Sequence, residues 1–293
     1  MKYKISRIAE WWAKNPMTYG ISHGTAVYSR DEGERRVELG SREFFEHADD
    51  QLYDWNRPLH RHNQPFAKIF PYEKYKDKLV LEIGCGMGGM AMLWAQRGAQ
   101  MTATDLNPVA VEQTTRRFSL FRLLGTVRQE NANALSFPDG SFHYVYSWGV
   151  LHHSPNLKQS LSELFRVLKP GGEFGVMLYN RHSLYYAYHV AYLEGFLHRE
   201  SRFLSDLRLA SRYGDGHREE GNPHTWPVTK KEIRGLFRPH TDSLKIRVLG
   251  TELDSTLKLL LPGLYFFIPP LMKKAWARRF GWSFWISGRK DKA

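Results

Sequence analysis

The stretch LVLEIGCGMGG, residues 79–89, decides the fold. Its first five residues are an apolar run ending in glycines, which reads as a buried strand. Gly84 to Gly89 then satisfies G-x-G-x-x-G ahead of a segment of helical composition, 88–97, that Gly98 closes. Glycines at a strand-to-helix junction let a ligand approach the backbone, and the helix N-terminus offers unpaired N–H groups.

Outward from this loop, strands and helices alternate. MTATD (101–105) reads as a second strand, and Pro108 opens a helix over 109–120. Residues 126–129 and FHYVYS (142–147) read as strands three and four. An amphipathic helix over 157–168 is expected to stop at Lys169-Pro170-Gly171-Gly172, with a fifth strand over 173–179. Short connections between alternating elements imply a parallel sheet with helices on both faces. Thr229-x-x-Glu232 is a capping box opening a helix to Phe237. Strands six and seven are expected at 244–249 and 282–288, with 254–280 inserted between them. The organisation predicted is a cap or lid (1–70, best helix Arg42 to Tyr53) and a core (71–180). A second cap with a helix (181–240) and the last two strands with their insertion (241–293) complete it.

The 293 residues suit one large domain or a domain with an added cap. Hydrophobic and charged fractions of 42% and 25% exclude global disorder. One cysteine excludes a disulfide framework, a zinc ribbon and a cysteine-ligated iron–sulfur cluster, and fits a reducing compartment; no metal site is expected. No signal peptide is read at the N-terminus, so a cytoplasmic location is expected. The net charge of +12 favours acidic partners. Half of it lies in residues 254–293, beside LLLPGLYFFIPPLM (259–272), which is too short and too proline-broken to span a bilayer. Residues 254–280 could rest on a membrane interface, cover an amphiphilic acceptor or form a homodimer contact.

Two readings of the glycine loop compete. Asp105 lies 21 residues after Gly84, where a dinucleotide fold places its ribose-binding acid. Glu82 favours the other reading. A carboxylate two residues before the first glycine repels a pyrophosphate but suits a phosphate-free, cationic cofactor such as S-adenosylmethionine.

These features resemble the class I S-adenosylmethionine-dependent methyltransferases, in particular the group containing quinone-biosynthesis and natural-product enzymes. LVLEIGCGMGG, TATDLNP, NANALSFPDGSFHYVYSWGVLHHSPN and ELFRVLKPGGEFGVMLY are similar, in order, to four of that family's motifs. The resemblance implies an α/β fold with a Rossmann-like, mostly parallel seven-stranded sheet, whose last two strands pair antiparallel. It implies S-adenosylmethionine as cofactor. Glu82, Gly84 and Gly86 would hold its methionine end, Asp105 its ribose hydroxyls, Leu106 and the pair Asn131 and Ala132 its adenine, and Ser147 and Trp148 its methyl end. Two positions depart from the pattern. Asn131 stands where the family often has Asp, keeping a carbonyl acceptor without the charge. His143 replaces an Asp and reads as an exposed strand start.

Methyl transfer from a sulfonium needs alignment and exclusion of water, and a base only if the nucleophile must lose a proton. His152 and His153 follow the fourth strand and are the candidate bases, His152 first. Tyr179, Asn180 and Tyr186, with Trp12 and Tyr19 from the cap, are candidate acceptor contacts; the tyrosines also recur at a helical spacing that suits core packing. Ser147-Trp148-Gly149 stands where methylases of base amines carry an N/D/S-P-P-Y/F motif, which argues against amine and amide acceptors of that kind. The expected acceptor is a small hydrophobic or lipid-like metabolite, methylated at oxygen, with nitrogen or carbon open. The alternatives are an RNA methyltransferase, a non-catalytic cofactor-binding partner and a nicotinamide oxidoreductase. No nucleic acid is expected, for want of a recognisable RNA-binding module.

Overall fold

The computed structural model describes residues 5–15, 27–29, 33–35, 37–214, 221–250 and 253–291. Seven strands form the main sheet: β3 (Leu79–Ile83), β4 (Gln100–Asp105), β5 (Thr126–Gln129), β6 (Phe142–Trp148), β7 (Leu168–Tyr179), β8 (Lys245–Leu249) and β9 (Ser283–Arg289). Their order is β5-β4-β3-β6-β7-β9-β8; β9 runs antiparallel to both neighbours, and the other pairings are parallel. A separate antiparallel ribbon pairs β1 (Val27–Ser29) with β2 (Gly33–Arg35). The Rossmann-like, mostly parallel sheet expected from the sequence is present, with its antiparallel last pair.

The pleat sorts the core into two layers. Val80, Tyr144, Tyr146 and Trp285 point to one face, where Trp94 of α3 (Gly89–Gln96) packs among them. Rings crowd that layer: Trp94 lies 4.7 Å from Tyr72 and 5.1 Å from Tyr144. Leu81, Ile83, Val145, Phe174 and Val176 point to the other face, against α5 (Leu157–Val167) and α7 (Lys230–Phe237). Burial on both faces is why β3 reads as a continuous apolar run rather than an alternating one. The α7 capping box forms as its spacing predicts, Thr229 and Glu232 each bonding the other's backbone.

The chain reverses direction across the sheet between β3 and β6. From β3 it passes to β4 and β5 on one side, and from β6 to β7 on the other. That reversal opens a crevice at the carboxyl ends of the two central strands.

Several details differ from the sequence reading. The expected turn at 169–172 belongs to β7, where Gly171 donates to the Lys290 carbonyl and Lys290 donates to the Gly172 carbonyl. His143 is half-buried rather than exposed; it sits at a register shift, and its Nδ1 accepts from the Leu79 N–H. The N-terminal segment adds a helix that the sequence reading missed, α1 (Ile5–Lys14), ahead of the expected α2 (Arg42–Trp55). Asn107 caps α4 (Pro108–Leu120) through the Val109 N–H, and its Nδ2 donates to the Trp12 carbonyl, tying α1 to the loop after β4. After β7 comes a π-helix (Tyr186–Leu197), then α6 (Asp206–Tyr213). Between β8 and β9 lie α8 (Leu253–Leu260) and α9 (Pro270–Phe280).

Candidate active site

A cavity of ≈ 520 Å³ opens where the strand order reverses. Its walls come from the ends of β3, β4 and β6, from α1, and from the π-helix and α8. The glycine loop forms its floor. Gly84, Gly86 and Gly88 all have positive φ (86°, 53° and 74°), which other residues adopt at a cost. A Cβ at Gly84 would collide with Val150, so this glycine serves close packing. A Cβ at Gly86 would meet nothing within 4 Å among the described residues; it would project into open space.

Two carboxyls line the floor. Glu82, from β3, is buried, and burial pushes its pKa up to about 8. The Tyr146 hydroxyl and the Ala91 N–H act on this carboxyl against the burial, but among the described residues its Oε2 has no hydrogen bond of good geometry. Such an orphaned acceptor costs stability unless a donor or cation arrives. Asp105, at the end of β4, accepts from the Gly86 N–H at Oδ2 and from the Asn107 N–H at Oδ1, both at 2.9 Å. Burial still raises its carboxyl above the ordinary range. An open glycine cradle, an unpartnered buried carboxylate oxygen and a second carboxylate at the next strand end suit a cationic, phosphate-free nucleoside. S-adenosylmethionine therefore fits: a cation stabilises the ionised form of Glu82, a gain that a pyrophosphate would not provide.

Most of the residues expected to hold the cofactor converge. Glu82, Gly84, Gly86, Asp105, Leu106, Asn131, Ala132 and Trp148 all line the cavity. Asn131 has its Oδ1 engaged by the Asn133 N–H, so its carbonyl also shapes its own turn. Ser147 lies outside the lining: it is fully buried, and its hydroxyl donates to the Ile83 carbonyl (2.8 Å), joining β6 to β3. The pleat turns Ser147 inward and its neighbour Trp148 toward the cavity.

The two histidines separate. They share a 3₁₀ turn, Leu151–His153, whose successive residues point about 120° apart. His152 is fully buried, with its ring 3.8 Å from that of Tyr179, and does not line the cavity. Burial, with His153 and His224 beside it, holds its pKa well below the ordinary value. His153 lines the cavity, edge-on to Trp12 (5.2 Å). Its Nδ1 lies 3.0 Å from the His224 carbonyl and 3.1 Å from the Thr225 hydroxyl. Thr225 gives its one hydroxyl proton to Asn222 Oδ1 (2.8 Å), so Nδ1 must be the donor to both neighbours. The lone pair then sits on Nε2. Sequence reasoning ranked His152 first because adjacency cannot tell the two directions apart.

Of the acceptor candidates, Trp12 and Tyr179 line the cavity. Asn180 does not: its side chain donates to the Gly281 carbonyl and accepts from the His182 N–H. Tyr186 also lies outside the lining, while Tyr185 and His189, one turn apart, lie on it. Tyr19 falls outside the described residues. Ile5, Ile8, Thr256, Trp282 and the Asn222–Thr225 pair had no sequence signal beyond apolarity or a polar loop.

A methyltransferase-domain family profile matches residues 81–176. Over 141 residues the chain is 38% identical to a sterol 24-C-methyltransferase of Gibberella zeae, covering 42% of this chain and 37% of that one. Over 122 residues it is 33% identical to a probable chloroplastic tocopherol O-methyltransferase of Oryza sativa subsp. japonica, covering 41% and 34%. The chain thus spans little more than a third of the length of these curated relatives. A solved S-adenosylmethionine-dependent methyltransferase from Methanosarcina mazei superposes with a TM-score of 0.52 at 21% identity, covering 77% of this chain and 99% of that one, a likeness of fold.

Proposed function

This chain belongs to the class I S-adenosylmethionine-dependent methyltransferases, with S-adenosylmethionine as cofactor, and from that premise we propose that it methylates a hydroxyl of a small lipophilic acceptor. One observation carries the reading. A single cavity holds the Glu82–Asp105 pair and His153 among walls that include Ile5, Ile8, Trp12, Tyr179 and Trp282. The relatives named for sterol and tocopherol substrates support the acceptor class.

When bound, S-adenosylmethionine supplies a methyl group on a sulfonium, open to in-line displacement. Glu82 and the Gly84–Gly86 backbone would hold its amino-acid end, Asp105 the ribose, and Leu106, Asn131 and Ala132 the adenine, with Trp148 toward the methyl end. Trp12, Ile5 and Ile8, presented by α1, exclude water, which strengthens every polar contact inside. The stacked rings of Tyr179 and Trp282, 4.4 Å apart, give a flat wall for the acceptor. His153 accepts the hydroxyl proton at Nε2, while Thr225 and the His224 carbonyl hold Nδ1–H and stabilise the imidazolium. His152 acts as packing beneath it. RNA methylation and a non-catalytic role have no comparable feature in the cavity.

The test is methyl transfer from labelled S-adenosylmethionine to a panel of prenylated phenols, quinols and sterols. A methyl ether is expected, and His153→Ala should lower kcat by roughly 10²–10⁴-fold with cofactor binding kept. Asp105→Ala should weaken that binding. A C-methylated product insensitive to His153→Ala would end the hydroxyl reading; transfer to RNA alone would end the acceptor class.

A further inference from the structure

The pair α8–α9 leaves a row of apolar side chains in water. Leu264 (62% exposed), Phe266 (77%), Phe267 (81%) and Leu271 (81%) fall within eight residues at the tip between the two helices. Their exposure has a structural cause. Tyr265 turns inward onto Leu253, Leu257 and Trp276, and anchoring that ring drives its neighbours outward. The tip is therefore held with its apolar groups presented, which water disfavours.

The charge around the tip has one sign. From 253 to 280 the chain carries Lys258, Lys273, Lys274, Arg278 and Arg279 against Asp254 alone. Lys258 and Lys273 both place Nζ over the Tyr265 ring, at 5.2 Å and 3.5 Å, which sets cations directly behind the apolar tip. Apolar groups in front and ammonium groups behind match the acyl boundary and headgroups of an anionic bilayer. Among the described residues no helix is long and apolar enough to cross a membrane, so the match is to the interface. The same segment walls the cavity: Thr256 of α8 and Trp282, just after α9, both line it.

We propose that the α8–α9 tip seats the protein on an anionic lipid bilayer with the cavity turned toward the membrane. That the acceptor reaches the cavity from the bilayer rests on the lipophilic-acceptor reading; the seating itself does not.

The experiment is co-sedimentation of the full chain with vesicles of phosphatidylcholine alone and of equal parts phosphatidylcholine and phosphatidylglycerol. Binding is expected to the mixed vesicles, to weaken with added salt, and to be much poorer on phosphatidylcholine alone. Phe266→Ser/Phe267→Ser should weaken it at least about tenfold, and so should Lys274→Glu/Arg278→Glu. Calorimetry with S-adenosylmethionine, unchanged in both variants, shows that they are folded. Three results overturn the proposal: no binding to mixed vesicles at low salt; binding that neither pair of substitutions alters; or a dimer by sedimentation velocity that Phe266→Ser/Phe267→Ser converts to monomer while vesicles bind neither form. A protein that binds vesicles but methylates no lipophilic acceptor would keep this inference and sink the acceptor reading.

Discussion

At the residue scale the site is governed by what burial does to charge. Glu82 is held near a pKa of about 8 by desolvation, and a cationic ligand favours its ionised form. Binding S-adenosylmethionine below that pH must therefore release a proton. Affinity should rise as pH increases from 6 to 8 and then level off, with calorimetry in buffers of different ionisation enthalpy reporting the released proton. Glu82→Gln should flatten that dependence; a wild-type affinity independent of pH would contradict it. The glycines split by function. Gly84→Ala should destabilise the fold through collision with Val150. Gly86→Ala should cost only about 1–2 kcal/mol for its left-handed φ, yet weaken cofactor binding at least tenfold, because its methyl enters the open cradle. Thermal unfolding and calorimetry on the two variants separate these outcomes. Around His153, Thr225→Val removes one of two Nδ1 partners and should lower kcat several-fold with little change in KM, since the His224 carbonyl still fixes the tautomer.

At the element scale a buried ion pair helps tie the cap to the core. Arg117 of α4 pairs with Asp49 of α2 and donates to the Met87 carbonyl at 2.9 Å, so one guanidinium joins cap helix, core helix and glycine loop. Asp49→Ala leaves that guanidinium buried without its partner and should cost about 3–5 kcal/mol in chemical unfolding. The double change Asp49→Leu/Arg117→Met should recover much of this; equal loss in both variants would show that packing, not charge, sets the cost. This pair was invisible in the sequence because its members lie far apart with no shared pattern. The elements that were legible share another property. β3 and β5 keep their sequence-read bounds, and α7 begins at its capping box, because apolar runs and caps are local signals. α1 was missed although its signal is local: Ile5, Ile8 and Trp12 recur at helical spacing and meet the cavity together.

At the scale of the whole molecule, strand order places the chemistry. The reversal between β3 and β6 brings Glu82, Asp105, and the Trp148–His153 stretch to one crevice from three separate segments. Gathering buried carboxyls has a consequence for stability. The folded pKa of Glu82 lies above its ordinary 4.5, so the folded chain keeps a proton that the unfolded chain gives up. Its contribution is full below pH 4.5 and is lost as pH rises through about 8. Measured as the difference from Glu82→Gln, which cancels the opposing buried histidines, the cofactor-free melting temperature should therefore fall from pH 6 to 8, and saturating S-adenosylmethionine should shrink that fall. A difference between wild type and Glu82→Gln that stays flat or climbs over this range without cofactor would contradict the assignment.

The sequence by itself determined the alternation of strands and helices, the glycine loop, and the choice of a cationic over a phosphate-bearing cofactor through Glu82. All of these follow from neighbours in the chain, where periodicity, caps and like-charge repulsion act over a few residues. Only the tertiary structure decided which histidine meets the cavity, that Ser147, Asn180 and Tyr186 lie outside its lining, and that a loop from 222–225 bonds His153. Those outcomes depend on which way a side chain turns and on what distant segment closes over it, and no spacing along a chain carries that information.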